Sequence, residues 1–224
     1  MMKKISDLII TQNNQFIAMN KPCGMSVQED QSGDASLHRI AMAYCKHDLY
    51  LVHRLDRPVS GIVLFAKTKK AAAHLSAQWK AGEVKKRYLA VVSKANAADA
   101  GRLIHFIGEK KGRNRVAVAS QSFKDSKMAE LDFEKVAESD RYQLLDVELK
   151  TGRRHQIRAQ LAAEGMPVKG DVKYGFNRGN KDRSIQLHAW QLAFRHPVSG
   201  ELITLKADPP EDVVWEAFSH YWKA

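Results

Sequence analysis

The sequence predicts an α+β fold, a mostly antiparallel mixed β-sheet core with flanking helices. Three observations predict it. Strand-like segments outnumber helical ones, they follow one another in a mixed order rather than a strict βαβ alternation, and one continuously apolar run, residues 62–66, reads as a strand covered on both faces. No internal repeat, heptad pattern or long linker interrupts the 224 residues, so a single domain over 1–224 is expected.

Two β-prone runs, residues 8–10 and 16–19, flank Gln12-Asn13-Asn14, a turn-prone interruption suited to a hairpin. Lys21-Pro22-Cys23-Gly24 then ends the strand. Ser36 caps an expected helix with Leu37, Ile40, Ala41 and Tyr44 at helical spacing, Asp48 lies at its far end, and a short loop leads to His53. The apolar run follows Gly61 and reads as central to the sheet. Thr68 caps a second helix that places Ala72, Leu75, Ser76 and Trp79 on one stripe and ends at Gly82; Tyr88 opens the next strand, 89–92.

Between Ala95 and Lys127 the chain turns polar and basic, with Lys110-Lys111-Gly112-Arg113-Asn114-Arg115, as an insertion or a pair of edge strands joined by exposed loops would be. Residues 129–136 and 142–149 are strand-like, the second alternating Leu145, Val147 and Leu149 on one face. Residues 153–164 read as a helix closed by Gly165 and Pro167. Strands at 187–194 and 202–205, joined by the turn His196-Pro197-Val198-Ser199-Gly200, precede a C-terminal helix at 213–221.

Thirty-six Lys and Arg against twenty-five Asp and Glu give a formal charge of +11, which attracts polyanions and makes nucleic acid the leading partner class. Cys23 and Cys45 form neither a CxxC pair nor a ladder of spacings, so a disulfide framework and a cysteine zinc site are not indicated and a reducing cytoplasm fits. No window approaches eighteen continuous apolar residues, and residues 1–7 lack a signal-peptide core, so neither membrane insertion nor secretion is expected.

Two segments carry candidate chemistry. His53-Arg54-Leu55-Asp56-Arg57-Pro58-Val59-Ser60-Gly61 sets one carboxylate among two arginines and a histidine, just before the apolar strand. Positive neighbours favour the ionised carboxylate, which suits Asp56 to act as a nucleophile or base; local composition alone favours the plainer reading that it only pairs with an arginine in a tight turn. Thr151-Gly152-Arg153-Arg154-His155-Gln156-Ile157-Arg158-Ala159-Gln160-Leu161 puts Arg154, Arg158 and Leu161 near one another at helical spacing, so Arg158 emerges beside an apolar face and needs a carboxylate, unless the segment is a solvated basic helix start. His53, His155 and His188 show no HExxH or carboxylate spacing, so no metal site is indicated.

HRLDRPVSG at 53–61 and TGRRHQIRAQL at 151–161, with NKPCG at 20–24 and KRYLA at 86–90, resemble the RluA family of pseudouridine synthases over 16–206. The resemblance implies the pseudouridine synthase fold and a cofactor-free uridine isomerase acting on structured rRNA or tRNA. It places the nucleophilic aspartate on Asp56, the active-site tyrosine on Tyr88 and the aspartate-binding arginine on Arg158. Arg54 is then expected to fill the place of the everted nucleotide, Arg57 and Lys21 to contact phosphates, and Leu187 to border the uracil pocket.

Val59 stands where the family commonly has Thr, Gln160 where His is frequent, and Cys23 where a small residue is frequent; none removes a group the chemistry needs. The chain begins directly in the catalytic region without the additional N-terminal RNA-binding module of many relatives, and a monomer is expected. Two other classes compete: a non-catalytic RNA-binding or assembly protein on the same fold, and a phosphodiester-cleaving nuclease, against which the lack of clustered acidic metal ligands argues.

Overall fold

The computed structural model describes residues 4–94, 98–109 and 115–223. In chain order it holds β1 Ile9–Gln12, β2 Phe16–Lys21, α1 Leu37–Cys45, β3 Tyr50–Leu51, β4 Ser60–Ala66, α2 Lys69–Ala81, β5 Lys85–Ser93, β6 Ala100–Glu109, β7 Val116–Ala119, β8 Lys127–Glu138, β9 Tyr142–Leu149, α3 Gln156–Ala163, β10 Leu187–Arg195, β11 Leu202–Lys206 and α4 Val213–Glu216. The chain divides into two compact units, Met1–Lys85 with Ala189–Pro210, and Lys86–His188 with Glu211–Ala224.

In the first unit the strand order is β1-β2-β4-β10-β11, with β3 on β4. The pairs β1–β2, β2–β4, β3–β4 and β10–β11 are antiparallel. The first turn forms as the sequence predicts because Asn13 Oδ1 accepts the amides of Gln15 and Phe16, replacing backbone acceptors at the bend. All seven residues of β4 are buried, as its unbroken apolar run requires. Its apolar face packs with Phe16, Leu75, Leu192 and Phe194, the two phenylalanine rings meeting edge to face at 5.3 Å.

Helix α2 starts at the Thr68 cap and ends at Gly82, φ 75°, as expected, but its buried stripe is Ala71, Leu75 and Gln78 rather than one through Ser76, which is exposed. Gln78 explains the rotation. Its carboxamide donates to the Arg195 carbonyl and accepts the Arg195 amide, both at 2.8 Å, so it is fully used where an apolar residue would leave the strand end unpaired. Tyr44 on α1 is likewise exposed rather than on the buried face, and β3 occupies part of the stretch expected to be loop.

Gly61 in β4 is a motif residue whose surroundings leave no room for a side chain. Its φ is +117°, and a Cβ there would lie 2.3 Å from the Ala189 carbonyl oxygen. Gly61→Ala is expected to cost about 3 kcal/mol from backbone strain and overpacking. A thermal melt should read this as a fall of roughly 6 to 12 °C in midpoint.

In the second unit β5-β9-β8-β6-β7 form consecutive antiparallel neighbours. The basic stretch therefore supplies β6 and β7, an antiparallel pair that continues the sheet; residues 110–114 lie outside the described residues. Helix α3 packs on this sheet through Ala159, among Ile107, Val116, Ala129 and Tyr174. Gln160, where the family often has His, is fully buried and donates to the carbonyls of Leu103 and Ala129, pinning α3 to β6 and β8.

The expected helix at 153–164 begins late, at Gln156. His155 holds a left-handed φ of 54°, and the Gln156 Oε1 accepts from the Arg153 amide and the Thr151 hydroxyl, folding 151–155 into a turn. The C-terminal helix is also shorter than expected: after one turn capped by Asp212, the Phe218 amide bonds to Trp215 and that of Tyr221 to Phe218, tightening the chain into 3-10 geometry. The Tyr221 hydroxyl donates to buried Asp146, which also accepts from Arg87 Nε at 3.0 Å, and burial with that carboxylate's charge pushes the phenol up to about 12. Among the described residues no helix is long and apolar enough to cross a membrane.

Candidate active site

In the first unit, the segment from His53 to Gly61 is a turn anchored at both ends. His53 Nε2 accepts the Leu64 amide at 3.1 Å, and its ring stacks on Trp79 with centroids 4.8 Å apart, so this imidazole is held by β4 and α2. Leu55 and Val59 are buried, and the Val59 amide closes the turn onto the Asp56 carbonyl at 3.0 Å. Between those two apolar anchors Asp56 is half-buried, while Arg54 stands exposed one step outside.

Arg57 lashes this turn to the loop after β2. It donates through Nε to the Gly24 carbonyl at 2.7 Å, through Nη1 to Asp30 at 3.3 Å, and through Nη2 to Asp34, while the Gly24 amide returns a bond to the Arg57 carbonyl at 2.9 Å. The hydrogen bond from Arg57 holds the Asp34 carboxyl below the usual carboxylate range, and Ser32 chiefly does the same for Asp30. Three of the five guanidinium N–H groups are thus committed within the protein.

Lys21 departs from expectation. The resemblance makes it a phosphate contact, yet its side chain is fully buried, and Nζ donates to the carbonyls of Pro22, Met25 and Arg57 at 3.0, 2.8 and 3.2 Å. An ammonium has three N–H donors, so none remains for a phosphate. The assignment as an RNA contact is therefore withdrawn, and Lys21 instead stitches the loop after β2 to the Asp56 turn. Its burial pulls the ammonium down from 10.5 to about 8, against upward effects of Cys23 and Asp56.

The sign of the resulting pH effect is fixed. Because the folded state holds the Lys21 proton less tightly, the unfolded chain binds more protons between about pH 8 and 10.5, so this group's contribution to stability rises with pH across that window and its penalty is full below it. Lys21→Met is expected to flatten the rise, as urea denaturation on either side of the window would show.

In the second unit Tyr88 sits within β5, three residues after its start, paired with Val147 and half-buried. Arg158 is 4% exposed and forms a two-pronged bond with Asp171, Nε to Oδ2 at 2.6 Å and Nη2 to Oδ1 at 2.9 Å. The carboxylate found on Arg158 here is Asp171, which the sequence reading did not name. The guanidinium carbon also lies 5.1 Å from the Tyr174 ring centroid, and the Tyr174 hydroxyl is 2.7 Å from His155 Nδ1 and accepts the Val116 amide at 3.1 Å. Arg158 is consequently fixed in orientation, whereas Arg154 precedes the helix and reaches Glu109.

Asp171 and Tyr174 were missed because their sequence signal is slight: an acid and an aromatic in Gly170-Asp171-Val172-Lys173-Tyr174-Gly175, with a positive φ at both glycines. Leu187 is 3% exposed, so it contributes apolar interior rather than open surface.

Comparison with known proteins supplies the chemistry. The family model described as RNA pseudouridylate synthase matches residues 15–163, a stretch that includes Asp56, Tyr88 and Arg158. YhcT of Bacillus subtilis, described as an uncharacterized RNA pseudouridine synthase, is 32% identical over 218 residues, covering 92% of this chain and 69% of that protein. tRNA pseudouridine synthase C of Yersinia pestis is 30% identical, with 89% of this chain and 85% of that one covered. Ribosomal large subunit pseudouridine synthase D of Zymomonas mobilis is 27% identical, with 92% and 70% covered. Human RNA Pseudouridylate Synthase Domain Containing 1 superposes with a TM-score of 0.79 at 24% identity over 97% of this chain and 89% of that one, a likeness of fold. A family match over most of the chain, and a 30% identical relative aligned nearly end to end, show that this protein belongs to the RluA-type family of RNA pseudouridine synthases and is an isomerase.

Proposed function

We propose that this enzyme isomerises a specific uridine in structured rRNA or tRNA to pseudouridine, with Asp56 as the nucleophile. The observation that carries the reading is the setting of Asp56: half-buried, between the apolar anchors Leu55 and Val59, in a turn that Lys21 and Arg57 fix from beneath. A carboxylate so placed is preorganised, and no metal or organic cofactor is called for.

The reaction breaks the N1–C1′ bond, turns the detached uracil, and joins C5 to C1′, after which the C5 proton must leave. Asp56 has three routes into it: attack on C1′, addition to C6, or removal of the C2′ proton. Tyr88 offers an aromatic face to the base and a hydroxyl for the C5 proton. Arg158 is the arginine assigned to the carboxylate chemistry, rigidly held by Asp171. A stacked uridine must first be everted at a cost of a few kcal/mol, and exposed Arg54 is suited to fill its place. Among the described residues Arg57 leaves two N–H groups for a phosphate, and Leu187 is the apolar residue assigned to the border of the uracil pocket. We likewise take the enzyme as a monomer of the cytoplasm, with a catalytic domain over residues 1–224.

The test is incubation of the protein with total RNA and a chelator, followed by pseudouridine mapping. New pseudouridine at a defined position is expected. Strand breaks would indicate a nuclease, and binding without modification a scaffold protein.

A further inference from the structure

We propose that the second unit carries an RNA subsite for a nucleotide other than the one isomerised, in a cavity of about 460 Å³ bordered by Tyr142, Lys169, Phe176, Arg178, Asn180 and Lys181. The inference rests on the reading of the substrate as RNA. It deepens that reading by naming where the chain of phosphates is gripped.

The charges of the cavity are not balanced in their availability. Asp182 and Asp212 also line it, but both are turned onto protein donors: Asp182 accepts from the Ser184 amide and hydroxyl, and Asp212 from the amides of Val214 and Trp215 and from Gln186 Nε2. The cations are not so spent. Lys169 Nζ donates to Asn180 Oδ1 at 2.7 Å and, among the described residues, forms no ion pair and no second hydrogen bond. Arg178 and Lys181 are exposed, and among the described residues they show neither. The two carboxylates keep their charge and act on Lys169, but their bound oxygens are engaged by protein donors, so an anion entering here meets three cations with donors to give against two carboxylates, a net charge of +1.

The floor is rigid. Asn180 Nδ2 is bound by the Ser184 carbonyl and hydroxyl and by Gln186 Oε1 at 2.9, 3.1 and 2.7 Å, and its carboxamide presses on Gly170, whose added Cβ would sit 2.7 Å from it. Lys169 is therefore presented in one place rather than waving in solvent, with its ammonium 6.0 Å from the Tyr142 ring centroid. Half-buried Phe176 and Tyr142 add two aromatic faces. A volume of this size, aromatic faces and unspent cations together fit a nucleotide, its base stacked and its phosphate held.

Phe176→Ala and Arg178→Ala test this in the whole chain, since among the described residues neither side chain makes a hydrogen bond that holds the fold. Affinity for a fluorescein-labelled RNA hairpin is read by anisotropy across a salt series, with circular dichroism melts confirming intact folding. Phe176→Ala is expected to weaken binding about tenfold, and Arg178→Ala to weaken it while reducing the salt slope by about one. Affinities within twofold of wild type for both variants would overturn the proposal. Pseudouridine yield from the wild-type protein is scored in the same tubes, so failure of the isomerase reading is told apart from failure of the subsite.

Discussion

Asp56→Ala is expected to lower pseudouridine formation by about 10⁴-fold or more, because removing a nucleophile leaves binding and orientation but no covalent or proton-transfer step. The fold should survive. It is the Asp56 backbone carbonyl that closes the turn, and the Arg57 and Lys21 bonds that hold the loop are made without the Asp56 carboxylate. RNA affinity should be largely kept, since phosphate contacts supply most of it, and binding should weaken with added salt. A second consequence separates this account from a generic loss of activity. The Asp56 charge supports the buried Lys21 ammonium, so its removal should drop the Lys21 proton affinity further and destabilise the protein modestly below pH 8. Single-turnover assays and denaturation at two pH values read both effects.

Arg158→Ala is expected to be the most damaging change to stability. It leaves Asp171, 1% exposed, without the cation that compensates it, a defect that costs about 3 to 5 kcal/mol. For a chain of this length that corresponds to a fall of roughly 10 °C in melting midpoint. Arg158→Lys should be milder for folding and nearly as severe for turnover: it restores a charge but not the two-pronged geometry of the Nε and Nη2 bonds. Asp171→Asn should behave as the mirror case, freeing the guanidinium to reorient and lowering turnover while RNA affinity holds. Equal activity of Asp171→Asn and wild type would remove the orienting role assigned to that carboxylate.

Much of the architecture was legible because local signals and burial agree. The apolar run of β4, the Ser36 and Thr68 caps and the Asn13 turn each name their element from a few residues, and each is where it was expected. The failures share a cause, which is that a polar side chain was given to solvent when the fold uses it inside. Lys21 reads as a surface cation until three carbonyls converge on it. Gln78 and Gln160 are given no packing role by the helical spacing, yet each satisfies backbone groups of a neighbouring strand. The late start of α3 depends on a left-handed His155 and a Gln156 side chain that bonds backward, neither visible in a helical periodicity. Asp171 completes Arg158 from thirteen residues further along the chain, and a single sequence gives no reason to choose it over other acids.

The most direct measurement is pseudouridine mapping of cellular RNA from a strain deleted for this protein, complemented with either the wild-type chain or Asp56→Asn. One or a few defined uridines should lose modification on deletion, regain it with wild type, and stay unmodified with the variant. Restoration by Asp56→Asn would contradict the role given to that carboxylate, and an unchanged map on deletion would contradict the assignment of an RNA uridine as substrate.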